Sequence, residues 1–151
     1  MSNQIVYVGS DHAGYSLKQP LLLRLKDSFP AIDFQDCGTD NESSCDYPLF
    51  AEKVGRLVAS SPAGRGILIC GSGLGMCIAA NKIRGVRATS SWNLESARLS
   101  REHNDSNVIC LGARLIPEDL AFEMVKVWLS TPFLGERHSK RVELIRKLEA
   151  K

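Results

Sequence analysis

The sequence has no C-x-x-C pair: its five cysteines stand at positions 37, 45, 70, 77 and 110. An odd number without that spacing argues against both a disulfide framework and a zinc ribbon. An excess of one charge is missing too. Nineteen Lys and Arg against seventeen Asp and Glu leave a formal net charge of +2. The signs are interspersed, so no broad basic face for nucleic acid is implied. Every apolar run is far shorter than the roughly 20 residues that cross a bilayer. The start MSNQIVYVGSDHAG has neither the basic opening nor the apolar stretch of a secretory signal. Repeats and low-complexity segments are absent. A cytoplasmic globular chain with a small-molecule partner, no nucleic acid and no membrane is therefore expected. At 151 residues, 44% of them hydrophobic, one domain with a real core is expected over 1–151.

Strand and helix signals alternate along the chain. QIVYVG is a β-branched run, and Leu17, Pro20, Leu21, Leu25 and Phe29 follow at roughly helical spacing, with Pro20 tolerable only near a helix start. AIDFQDCG reads as a second strand, and Phe50, Val54, Leu57 and Val58 mark a helix over 49–60. GILIC is an apolar run of the buried parallel type, and MCIAANKI after it reads as a helix. GVRATSSW and NVICLG are strands flanking the helix NLESARLSREH, and PEDLAFEMVKVWL places Pro117 at a first helical position. Such alternation implies βαβ units, and so an α/β fold with a mostly parallel sheet covered on both faces. Ligands then bind outside the carboxyl ends of the strands. Asp11 and His12, Cys70 to Gly75, and Gly112 to Arg114 all stand where that rule points.

The stretch ICGSGLGMCIAANK carries the chemistry. Its glycines depart from a dinucleotide fingerprint, and the Gly-Lys-Ser/Thr ending of a phosphate-binding P-loop is missing. Glycines at a strand-to-helix turn still expose backbone N–H groups to an anion, whether a phosphate or a transient oxyanion. Cys70 precedes these donors, and a helix N-terminus favours a thiolate. Position alone leaves it open whether Cys70 is a base or a packed strand-end thiol; Cys77 and Cys110 read as core. The three histidines, His12, His103 and His138, lie in polar settings, where a structural or merely exposed role is the common one. Arg137, Lys140 and Arg141 crowd the start of the last helix, where cations oppose the dipole unless an anion binds. Arginines four apart on one face could grip a phosphate, though a solvated basic face is the other reading.

Taken in order, SDHAG, DYP, CGSGLGMCIAANKIRGVRA, SREHNDSNV, GAR and GERHSKRVELI resemble the family of ribose-5-phosphate isomerase B, which also holds galactose-6-phosphate isomerase subunits and an allose-6-phosphate isomerase. The resemblance implies a Rossmann-like three-layer α/β/α sandwich, no metal or organic cofactor, and a homodimer or dimer of dimers with shared active sites. It also implies an intramolecular oxidoreductase of the non-oxidative pentose phosphate pathway, interconverting ribose 5-phosphate and ribulose 5-phosphate through an enediolate. Alternatives are an isomerase of a six-carbon sugar phosphate, or a binding module without catalysis.

Carried over residue by residue, the resemblance makes Cys70 the base and the loop with Ser72, Gly71, Gly73 and Gly75 the enediolate hole. His103 opens the sugar ring with Asp11 opposite it. Tyr47, Ser72 and Asn104 position substrate, and Arg114, Arg137 and Arg141 hold phosphate with His12 or His138. One branch of the family carries a glutamate base at the position of Met76 and lacks the cysteine; this chain has Met76 and Cys70. Val142, Ile145 and Leu148 form an apolar stripe on the last helix, and residues 131–151 read as an arm and helix that pack on a partner.

Overall fold

The computed structural model describes residues 4–150. Five strands form one sheet: β1 (Ile5–Ser10), β2 (Asp33–Asp36), β3 (Arg65–Cys70), β4 (Ala88–Ser90) and β5 (Val108–Gly112). All neighbours are parallel, in the order β2-β1-β3-β5-β4. The helices are α1 (Tyr15–Ser28), α2 (Tyr47–Ser60), α3 (Leu74–Ala80), α4 (Leu94–Asn104), α5 (Glu118–Ser130) and α6 (Arg137–Leu148).

The apolar strands must cover both faces of the sheet, and their residues divide by parity. Val6, Val8, Ile67, Ile69, Ile109 and Leu111 pack with α1, α4 and α5. Tyr7, Leu68, Cys70, Val108 and Cys110 pack with α2 and α3. This is the expected Rossmann-like α/β/α layering. The chain leaves β1 toward β2 on one side and continues from β3 on the other, so the switch point falls between β1 and β3. Asp11 and Cys70 stand at the ends of those two strands.

Local readings need correction in four places. Pro20 is the sixth residue of α1, not part of its start. Its ring removes one helical donor, while Leu17, Leu21, Leu22 and Leu25 bury that helix and keep it whole. Pro117 is the cap before α5, with extended backbone, and Glu118 opens the helix. Of GVRATSSW only Ala88–Ser90 is strand. The apolar stripe on α6 splits: Val142 is buried within its own chain, whereas Leu144, Ile145 and Leu148 are exposed.

Candidate active site

A cavity of about 430 Å³ opens at the carboxyl ends of the strands, lined among others by Asp11, His12, Tyr47, Cys70, Ser72 and Arg114. Gly71 and Gly75 also border it. Cys70 ends β3 and is buried, its Sγ accepting the Gly73 N–H at 3.1 Å. Gly73 makes that turn with φ +79°, a left-handed conformation natural to glycine. The sulfur is thereby held against a loop whose next amide, that of Leu74, donates to Ser72 Oγ at 3.3 Å. A Cβ on Gly75 would lie 2.5 Å from Tyr47 Cζ. Glycine there lets the phenol ring at the start of α2 lean directly over the loop.

The other wall is built by β1. Asp11 is buried, and its Oδ1 accepts the Gly14 N–H at 3.0 Å, which fixes the carboxylate before α1. His12 Nδ1 lies 3.2 Å from the Cys45 N–H, which donates to it. That bond ties the 37–46 loop to β1 and delivers Tyr47. Below, the fully buried Lys18 donates to Asp36 Oδ1 and to the Thr39 carbonyl, each at 2.6 Å. Cys45 and Lys18 had no signal in the sequence, since each works through a contact with a distant segment. Arg114 folds back from β5, its Nη1 3.0 Å from where a Gly71 Cβ would sit. Cys77 and Cys110 pack in the core as expected. Cys77 Sγ donates to the Ala88 carbonyl at 3.4 Å. The neighbouring Cys110 holds Cys77 down at about 7 against the opposing effect of burial, while burial pushes Cys110 up.

His103, Asn104, Arg137, His138 and Arg141 are elsewhere. Helix α4 runs back antiparallel to the strands, so its last residues reach the amino ends of the sheet. There the Asn107 carbonyl accepts from Gly66 at the start of β3. A strand rises about 3.3 Å per residue, so the six residues of β3 put the two ends some 15–20 Å apart. His103 stacks on His138 with ring centroids 4.2 Å apart, and the Leu134 N–H donates to the Glu102 carbonyl, bringing the start of α6 beside the end of α4. Arg137 and Arg141 project from α6 into solvent. Burial first, then the nearby His103, Arg137 and Arg141, lowers His138 below its ordinary value. The expected site residues therefore form two separate groups within one chain. Among the described residues no three His, Cys, Asp or Glu side chains gather as a metal site.

A thiol and a glycine loop in the switch-point crevice of a doubly wound parallel sheet define a Rossmann-like α/β enzyme that acts on a small molecule. Comparison with known proteins narrows the class. A family model described as "Ribose/Galactose Isomerase" matches residues 6–145, and the chain belongs to that family. It is 41% identical over 141 residues to a protein of Escherichia coli named ribose-5-phosphate isomerase B, with 93% of each covered. The solved ribose-5-phosphate isomerase B of Clostridium thermocellum superposes with a TM-score of 0.93 at 45% identity, covering 97% of each chain. The type B enzyme of Trypanosoma cruzi superposes at 0.94 with 40% identity, over 99% of this chain and 98% of that one.

Proposed function

We propose that this chain is an aldose-ketose isomerase interconverting ribose 5-phosphate and ribulose 5-phosphate through an enediolate, in the cytoplasm, as a step of the non-oxidative pentose phosphate pathway. The observation that carries the reading is the Cys70 sulfur, pinned by Gly73 N–H in a cavity with Asp11, Tyr47 and Arg114. An aldose-ketose isomerase must move a weakly acidic carbon-bound proton, which calls for a desolvated base and fixed donors where the oxyanion grows. The Cys70 thiolate removes the proton from C2. The electron pair moves into a C1–C2 double bond, and the C1 carbonyl oxygen becomes the enediolate oxygen facing Ser72 and the loop amides. Returning the proton to C1, while the hydroxyl proton on the C2 oxygen passes to the C1 oxygen and the C2 oxygen becomes a carbonyl, gives the ketose with no net change of atoms.

Opening the furanose and holding the phosphate need the second group, supplied by another copy, together with residues of the Cys70 cavity. His103 exchanges the ring-oxygen proton opposite Asp11, Asn104 and Tyr47 position the sugar, and Arg114, Arg137 and Arg141 hold the phosphate beside His12 or His138. Exposed apolar side chains support such an assembly: Leu74 and Ile78 lie four apart on α3, and Leu144, Ile145 and Leu148 on α6. The test is turnover of ribose 5-phosphate in competition with allose 6-phosphate and galactose 6-phosphate. The five-carbon substrate is expected to have the highest kcat/KM. A preference for either hexose phosphate would move the reading to the six-carbon branch, and no turnover of any would leave a binding module.

A further inference from the structure

At the amino ends of the strands, opposite the Cys70 cavity, lies a second polar cavity of about 420 Å³. Three guanidiniums reach it, from Arg65, Arg87 and Arg101, and Asp105 is its one lining carboxylate. All three arginines have partners, but each with only part of its fork. Arg65 Nη1 donates to the carbonyls of Trp128 and Leu129 at 3.3 and 3.0 Å. Arg101 gives Nη1 to Asp105 Oδ1 and the Ser106 carbonyl, and Nε to the Thr131 carbonyl. Arg87 gives Nε to the Asn104 and Asp105 carbonyls and Nη2 to Asp105 Oδ2. Among the described residues, Arg65 Nε and Nη2, Arg101 Nη2 and Arg87 Nη1 meet no acceptor.

The charge does not balance either. The carbonyl partners are the ends of α4 and α5, and each helix terminus supplies about half a negative charge. With Asp105 counted, roughly one positive charge remains unmatched among the three guanidiniums. Arg65 is pushed down to about 10, first by burial and then by the neighbouring Arg101. Arg87 and Arg101 are 13% and 7% exposed at their side chains, too buried for water to screen them fully. Ser61 and Asn107 add neutral polar groups to the same wall.

We propose that this cavity is a second anion site, separate from the catalytic pocket, which takes a phosphate dianion, free or as the head of a small phosphomonoester. Planar guanidinium forks match the oxygens of such a group. The cavity is also larger than a bare phosphate needs, leaving room for a short organic tail.

The test must silence the catalytic pocket first. In the Arg114→Ala, Arg141→Ala chain, calorimetric titration with inorganic phosphate and with glycerol phosphate is expected to show one site per chain. Adding Arg65→Gln should weaken that binding at least tenfold, and Ser61→Asp, which sets a carboxylate on the cavity wall without touching an arginine, should weaken it comparably. Tighter binding of glycerol phosphate would identify a monoester as occupant, and tighter inorganic phosphate the free ion. Absence of binding in the silenced chain overturns the proposal. So does binding that Ser61→Asp leaves unchanged, whatever Arg65→Gln does to the fold.

Discussion

At the scale of single residues, the catalytic reading rests on a sulfur that one backbone amide holds in place. Cys70→Ala keeps the glycine turn, because Gly73 owes its left-handed conformation to the backbone and not to the thiol. The variant is therefore expected to fold and to bind sugar phosphate with little change in KM, while kcat falls by a factor on the order of 10² or more, the size of a lost acid/base group. Steady-state kinetics with ribose 5-phosphate checks this, and near-normal turnover would take Cys70 out of the mechanism. Three parts of this pocket were legible in the sequence because they stand at or just after the end of a buried strand: Asp11 after β1, the Cys70 loop at β3, Arg114 after β5, whereas Tyr47, at the start of α2, was reached only through the family resemblance. Strand ends in a parallel sheet converge, so linear position there maps onto spatial position. Cys45 and Lys18 lacked that link. One reaches His12 across 33 residues and the other reaches Asp36 across 18, and no local pattern encodes such contacts.

At the scale of elements, α6 is held to the body of the chain by little apolar surface. Val142 and His138 are its buried residues, and His138 lies face to face with His103. Because His138 is held below its ordinary value, the folded chain binds fewer protons than the unfolded one at pH values near and below the usual histidine range. Stability then rises with pH through that range and is lost on acidification. Charging His138 would set a cation against His103, Arg137 and Arg141, with Glu136 the one acidic neighbour to offset them. Amide exchange along Arg137–Leu148 is expected to quicken as pH is lowered from 7 to 5, and His138→Asn, which cannot charge, should flatten that dependence. Equal pH sensitivity in both chains would assign it to another group. The helices themselves were readable from their spacing, and two of the differences share one cause. Local rules do not reach Pro20 or the α6 stripe, because tertiary packing decides both, burying α1 around its proline and turning Val142 inward while Ile145 and Leu148 face out.

At the scale of the molecule, the sheet sets a distance that no side chain spans. Cys70 ends β3, whereas His103 lies beyond its start at the end of an antiparallel helix, and the six residues of β3 separate them by roughly 15–20 Å. The motifs could be read in the sequence as one site because a sequence has no ends of a sheet; only the topology shows that they occupy opposite ends. If a site needs both groups, two chains must supply it, and complementation tests that directly. Cys70→Ala chains and Arg141→Ala chains should each be nearly inactive alone. In a mixed dimer, one site combines both defects, while the other joins the intact Cys70 of one chain to the intact Arg141 of its partner. Random re-association of equal amounts makes about half the dimers mixed, each with one sound site, so about a quarter of the wild-type activity should return after co-refolding. Activity that stays at the level of the separate variants, with mixed dimers shown by native mass spectrometry, would place the whole site in one chain and require α6 to reach the cavity by a rearrangement of its own subunit.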